Sequence, residues 1–159
     1  HDVGGLDEDL FAHMEEIDFC WRLKHKGYRI MYTSKSKVYH IGGGTLPKVS
    51  SFKTYLNIRN NNVMLYKNLP RKRLNRVIFM RLIMDGIAGI KFFIDNGLSD
   101  WLAVVRAHMH FYKMIPKLRE KRKEIKPREV NLVYRKNIVA EHYLRGKKHF
   151  GQLDDSRIG

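Results

Sequence analysis

The chain has 159 residues, with 31 Lys and Arg against 16 Asp and Glu and a formal net charge of +15, so it is one ordinary domain at most, and a strongly basic one. With 43% hydrophobic and 30% charged residues it has apolar material for a core, which excludes a wholly disordered basic tail. The single cysteine, Cys20, excludes an internal disulfide and a Cys-x-x-Cys redox or zinc motif, and it favours a reducing compartment. The sequence opens at His1 in an acidic stretch without a charged-then-apolar leader, and it reads as a piece of a longer chain. Residues 1–22 hold seven acids and one base, Arg22, whereas the remainder carries all the positive excess. Such asymmetry suggests an acidic cluster suited to chemistry or metal binding, and a basic body that meets something anionic.

In chain order, Ile17, Cys20 and Trp21 recur at helical spacing and predict a short amphipathic helix from about Met14 to Lys26. Residues 28–33 (YRIMYT) and 37–41 (KVYHI), rich in aromatic and β-branched side chains, predict two short strands. Gly42, Gly43 and Gly44 then form a loop that brings backbone close to a ligand, and Pro47 precedes a helix over about 51–68. After Pro70 come Arg71, Lys72, Arg73 and Arg76, then an apolar stretch, 77–94, that Arg81, Asp85 and Lys91 interrupt too often for a spanning helix. An N-cap at Ser99 predicts a second amphipathic helix over 100–115, kinked or ended by Pro116 and extended by the basic segment 117–126. A last helix over 136–144 leads to a polar tail. These boundaries divide the chain into 1–70, 71–126 and 127–159.

The string GGLDEDLFAHMEEIDFCWRLKHKGYRIMYTSKSKVYHIGGGTLPK, residues 4–48, resembles the second half of the catalytic domain of family 2 glycosyltransferases. It has in order a Gly-Gly-Leu-Asp-Glu loop, a Glu-Glu-x-Asp-x-x-x-Arg helix start, a Gly-Tyr-x-Ile strand and a Val-x-His strand end. With residues 53–70 the resemblance covers about 70 positions, and it looks most like bacterial enzymes described as rhamnosyltransferase-like. It implies an α/β parent fold of the GT-A type, of which this chain supplies a mainly helical part with two or three short strands. It also implies an inverting transfer from a nucleotide-sugar to a glycan or lipid-linked acceptor, in cell-surface polysaccharide synthesis. A divalent cation, Mg or Mn, is expected, with its main carboxylate ligands in a first half that lies outside this sequence.

Inverting transfer needs a carboxylate to accept the acceptor hydroxyl's proton. Glu15 and Glu16 are neighbours about 100° apart on a helix, and periodicity does not choose between them. The resemblance places the base at Glu16. It gives Asp18 and Arg22 a supporting role on the acceptor and pyrophosphate side, although their i, i+4 spacing also suits a plain ion pair. Asp7 and Glu8 cap the loop or hold acceptor hydroxyls, and Gly4 and Gly5 allow close backbone approach. Trp21 is either core or a sugar platform. His40, by its match to the Val-x-His position, is the expected metal ligand or diphosphate contact. Arg59 has the chemistry to hold a phosphate and Asn60 a sugar, and both also suit an inter-helix contact.

The basic amphipathic helices fit an anionic membrane surface, which implies a cytoplasmic protein peripheral on the inner face of the cell membrane. The competing readings are a nucleic-acid-binding module, for which +15 and interleaved aromatics as in HFYK (110–113) are the argument but no fold signature is present, and a helical interaction module without chemistry.

Overall fold

A computed structural model describes residues 2–31, 33–39, 50–130, 136 and 138–153. The helices are α1 (Glu15–His25), α2 (Ser51–Asn68), α3 (Arg71–Asn96), α4 (Leu98–Ile125) and α5 (Ile138–Tyr143), with single 3-10 turns at Glu8–Leu10 and Phe150–Gln152. The chain falls into two compact units, His1–Arg128 and Glu129–Gly159.

The first unit is organised by α2 and α4. Ser50 caps α2, its hydroxyl accepting from the Phe52 amide at 3.2 Å, and Leu69–Pro70 ends the helix, since a residue before proline is driven to extended backbone. Tyr55, Leu56 and Ile58 of α2 pack on Ala103, Val104 and Ala107 of α4. The small residues on α4 let the two helices approach. A second cluster joins Val63 to Phe111 and Leu118 and receives Leu10 from the N-terminal loop, so the loop is anchored in the core. Truncating Phe111 to Ala would remove about 3–5 kcal/mol.

α3 and α4 form a hairpin turned at Gly97, whose φ of 84° is one that a side chain would disfavour. Helix α4 starts at Leu98, so Ser99 lies inside its first turn and is not the cap. Pro116 neither ends nor interrupts the helical assignment. It is exposed, while Phe111 and Leu118 on either side are buried in one cluster and hold the helix across it. No helix among the described residues is long and apolar enough to cross a membrane. In the second unit, Glu141 of α5 pairs with Arg145 and with Lys147 at 2.7 Å.

The expectation of an α/β fold with short strands is corrected: among the described residues every regular element is helical and there is no strand. Residues 28–31 and 33–39, where two strands were expected, are turn and irregular chain without a ladder. Aromatic and β-branched content favours a strand only where a neighbouring strand receives its hydrogen bonds and side chains, and none does so among the described residues. Residues 32, 40 and 41 of those segments, and the glycine loop with Pro47, lie outside the described residues.

Candidate functional site

The acidic N-terminal segment is fastened to α2 by two polar clamps. The first centres on Asp18, which is fully buried on α1. Its carboxylate accepts from Arg22 Nε at 2.8 Å and Asn68 Nδ2 at 2.7 Å, and it faces Lys67 Nζ at 2.8 Å. Arg22 passes the connection on, donating from its two terminal nitrogens to the carbonyls of Val3 and, at 2.6 Å, Gly5. Lys67 also binds Asp7. A buried carboxylate with three cationic or amide partners is satisfied, and removing it would leave Arg22 with carbonyl partners alone and Lys67 with Asp7 alone.

The second clamp is Asn60, also fully buried. Its amide nitrogen donates to the carbonyls of Leu10, Ala12 and His13 at 2.7, 2.7 and 2.9 Å. Arg59 adds bonds from Nη2 to the carbonyls of Asp9 (3.0 Å) and Leu10 (3.3 Å). The backbone they hold is strained. Phe11 (φ 58°), His13 (69°) and Met14 (72°) all take left-handed dihedrals without being glycine, and Ala12 N–H closes a tight turn onto Leu10 O at 2.7 Å. Such dihedrals cost about 1–3 kcal/mol each and persist only where surrounding contacts over-determine them. The strained turn ends at the first residue of α1, so it sets where Glu15 and Glu16 emerge.

An open cleft of about 370 Å³ lies between this segment and the C-terminal end of α4. Gly4, Gly5, Asp7, Glu8 and Arg22 line it, together with Asp9, Lys67, Lys117 and Lys121. Gly4 and Gly5 have φ of 73° and 75°, which keeps the wall free of side chains where the chain turns. Lys121 binds Asp7 at 2.6 Å and Asp9 at 2.7 Å, and Lys117 binds Asp9 at 2.6 Å. Burial by itself would raise the Asp7 carboxyl, but the hydrogen bonds from Lys121 and Lys67 outweigh it and hold the group far below the usual carboxylate range. Asp9 is lowered in the same way: burial opposes, Lys117 and Lys121 prevail.

Among the described residues, the other expected site residues do not line this cleft. Glu16 and Glu15 stand on the first turn of α1, where the helix dipole favours acids, and neither lines the cleft. Glu16 is exposed to solvent, whereas Glu15 is half-buried with Oε2 lacking a hydrogen-bond partner among the described residues. Trp21 is half-buried and stacks on His25 with ring centroids 6.4 Å apart. Arg59 and Asn60 contact the loop backbone described above. His40 lies outside the described residues.

Three residues that the sequence pattern did not single out, Lys67, Lys117 and Lys121, neutralise the cleft. The signal available for two of them was their i, i+4 spacing, which places both on one face of α4; nothing local connects Lys67 to an acid 60 positions away. The described residues do not fit a divalent cation. Asp7, Asp9 and Asp18 already face lysine or arginine, and among the described residues no group of three or more His, Cys, Asp and Glu is arranged to hold a metal ion.

Over 104 residues the chain is 31% identical to the succinoglycan biosynthesis protein ExoA of Rhizobium meliloti (strain 1021), a match that covers 65% of this chain and 29% of that protein. The chain therefore spans less than a third of the length of that relative. No protein-family model matches the chain, and no solved structure does.

Proposed function

We propose that residues 1–159 supply the acceptor side of a glycosyltransferase acting in polysaccharide synthesis, with Glu16 as the general base of an inverting transfer. The similarity to a succinoglycan biosynthesis protein carries the reading. The exposure of Glu16 on α1, immediately after a strained turn held by Asn60, supports the choice of residue. In the transfer an acceptor sugar hydroxyl attacks the anomeric carbon of the donor. Its proton passes to the Glu16 carboxylate as the new C–O bond forms, and the bond to the nucleoside diphosphate breaks on the opposite face. Glu15, half-buried beside it, is the alternative base.

Asp18, Arg22, Arg59 and Asn60 act in this reading as positioning residues, because their polar atoms contact the backbone of the 3–13 segment or one another. Gly4, Gly5, Asp7 and Glu8 form the cleft wall, and Glu8, exposed at its edge, is the group there suited to an acceptor hydroxyl. The donor-binding groups and any divalent cation belong to chain outside these residues.

The test is transfer. A full-length protein containing this chain, given labelled nucleotide-sugars and an extracted glycan or lipid-linked acceptor, should form labelled product, while residues 1–159 alone should form none. No product from the full-length protein across the common donors would overturn the reading, and turnover by residues 1–159 alone would overturn the division of labour.

A further inference from the structure

Helix α3 is inverted relative to a helix that separates core from water. The residues it buries are Leu74, Asp85 and Gly89. Asp85 is 1% exposed and takes Arg81 at 2.8 Å, Asn62 at 2.9 Å and His108 at 3.5 Å. Its outward side carries Phe79, Ile83, Ile87, Ile90 and Ile94, all exposed, Ile94 at 76%. A water-facing helix shows the opposite arrangement, with its apolar stripe turned inward. On α4 the stripe of Trp101, Val105, Met109 and Tyr112 is exposed as well. A shallow groove is lined by Leu82 and Gly86 from α3 and by Trp101, Val105 and Met109 from α4, so the α4 stripe borders the α3 residues that lie beside the α3 stripe. Single exposed apolar side chains are ordinary, but a continuous face over two helices marks an interaction site.

The charge bordering this face has one sign. By helical spacing Lys72 and Arg76 fall on the same side of α3 as the stripe, within two turns of Phe79, and Arg106 and Lys113 flank the stripe on α4. All four are exposed. Residues 71–119 hold ten Lys and Arg against three Asp; Asp85 and Asp100 are buried and Asp95 pairs with Lys91. A second copy of this face would set cations against cations, and a nucleic acid would match the charge but leave the aliphatic stripe without a partner. An anionic bilayer matches both, taking the stripe at the headgroup–acyl boundary and the basic side chains at lipid phosphates.

We propose that the outer face of the α3–α4 hairpin docks in the plane of an anionic lipid bilayer, with Phe79–Ile94 and Trp101–Tyr112 toward the acyl chains. The inference does not rest on the sugar-transfer reading, and its test uses no sugar. The 159-residue chain is sedimented with vesicles of phosphatidylcholine alone and of equal phosphatidylcholine and phosphatidylglycerol. Partition should be at least about ten-fold stronger to the anionic vesicles. A bound fraction should persist at about 0.5 M salt, because screening does not reach buried apolar contacts. Tryptophan emission should shift to the blue on binding, and Trp101→Phe should abolish that shift. Ile87→Glu and Met109→Glu, at exposed positions, should each weaken partition about five-fold or more with melting temperature unchanged. If either variant melts early, Lys72→Glu with Arg76→Glu tests the same surface by lowering the preference for anionic vesicles. Four results would overturn the proposal: partition unchanged by these variants, complete release by salt, a lipid-free dimer that shields Trp101, or RNA or duplex DNA displacing the vesicles.

Discussion

The N-terminal segment with its clamps and the α3–α4 hairpin both bury polar groups and expose apolar side chains, but they leave different surfaces. Around α1, charged and amide groups are taken inside: Asp18, Asn60, Lys67 and Asn68 are buried, and Phe11 and Ile17 stand in solvent. On the hairpin the apolar residues stand outside while Asp85 is buried beneath them. In both regions buried polar groups fix geometry rather than add net stability, since pairing in the interior roughly offsets the cost of leaving water. The difference lies in what each arrangement leaves on the surface: an acidic helix start in one region, an apolar face ringed by cations in the other.

The comparison breaks first at Asp18. Asp18→Ala should destabilise the chain by about 3–5 kcal/mol in denaturant unfolding, because it leaves Arg22 and Lys67 buried without their shared anion. A loss below about 1 kcal/mol would mean that water reaches both cations and that the clamp is not an interior feature. Asn60→Ala is the next test. The Ala12 and His13 carbonyls lose their Asn60 donor, while the Leu10 carbonyl keeps Arg59 and the Ala12 amide, so about 1–3 kcal/mol should be lost, and amide exchange should accelerate selectively in residues 10–14 while the amides of α3 are unaffected.

Acid titrates groups of both regions, and they act over two windows. His25, desolvated against the Asn68 carbonyl and facing Arg128 and Arg122, is held below the ordinary imidazole value. His108 is lowered by burial despite Asp85. A group whose folded pKa is depressed contributes stability above its unfolded pKa and loses it as pH falls through the folded value. Stability should therefore decline as pH drops below about 6.5, the unfolded imidazole value, and His25→Gln should flatten that decline. Asp7 and Asp9 are depressed as well, so their contribution should be full above about pH 4, the unfolded carboxyl value, decline as pH falls below it and vanish only in stronger acid. Rising stability between neutral pH and about pH 5 would contradict the histidine directions. The smallest effect belongs to Lys117→Ala: its side chain is 60% exposed, and breaking its contact with Asp9 should cost under about 1 kcal/mol and less at high salt.

Much of the helical framework was legible because its signals are local. Ser50 and Pro70 bracket α2, and the Ile17–Cys20–Trp21 spacing marks α1 within a residue or two. The hairpin turn was less legible, since Ser99 resembles a cap but Gly97 makes the turn. The tyrosine-rich segments after α1 were misread as strands because their propensity depends on a ladder partner, which sequence does not display. At the candidate site the structure places Gly4, Gly5, Asp7, Glu8 and Arg22 on one cleft, whereas the residue pattern also set Trp21, Arg59 and Asn60 among the binding residues. Arg59 and Asn60 read as ligand-binding groups because sequence shows their donors but not the loop carbonyls, about 50 positions away, that occupy them. Lys67 was missed for the same reason. Hydrophobic periodicity in 77–94 was visible, but not that its apolar side faces outward, since period alone does not state which face is buried.

The central claim is that the clamps exist to present Glu16, and it separates chemistry from stability at neighbouring positions of one helix. Glu16→Gln in the full-length protein, measured for sugar transfer and for thermal unfolding together, tests it most directly. The account predicts turnover lowered by at least about two orders of magnitude with the melting temperature unchanged, because the side chain is exposed. Near-normal turnover in Glu16→Gln, or a larger loss in Glu15→Gln measured beside it, would contradict the account.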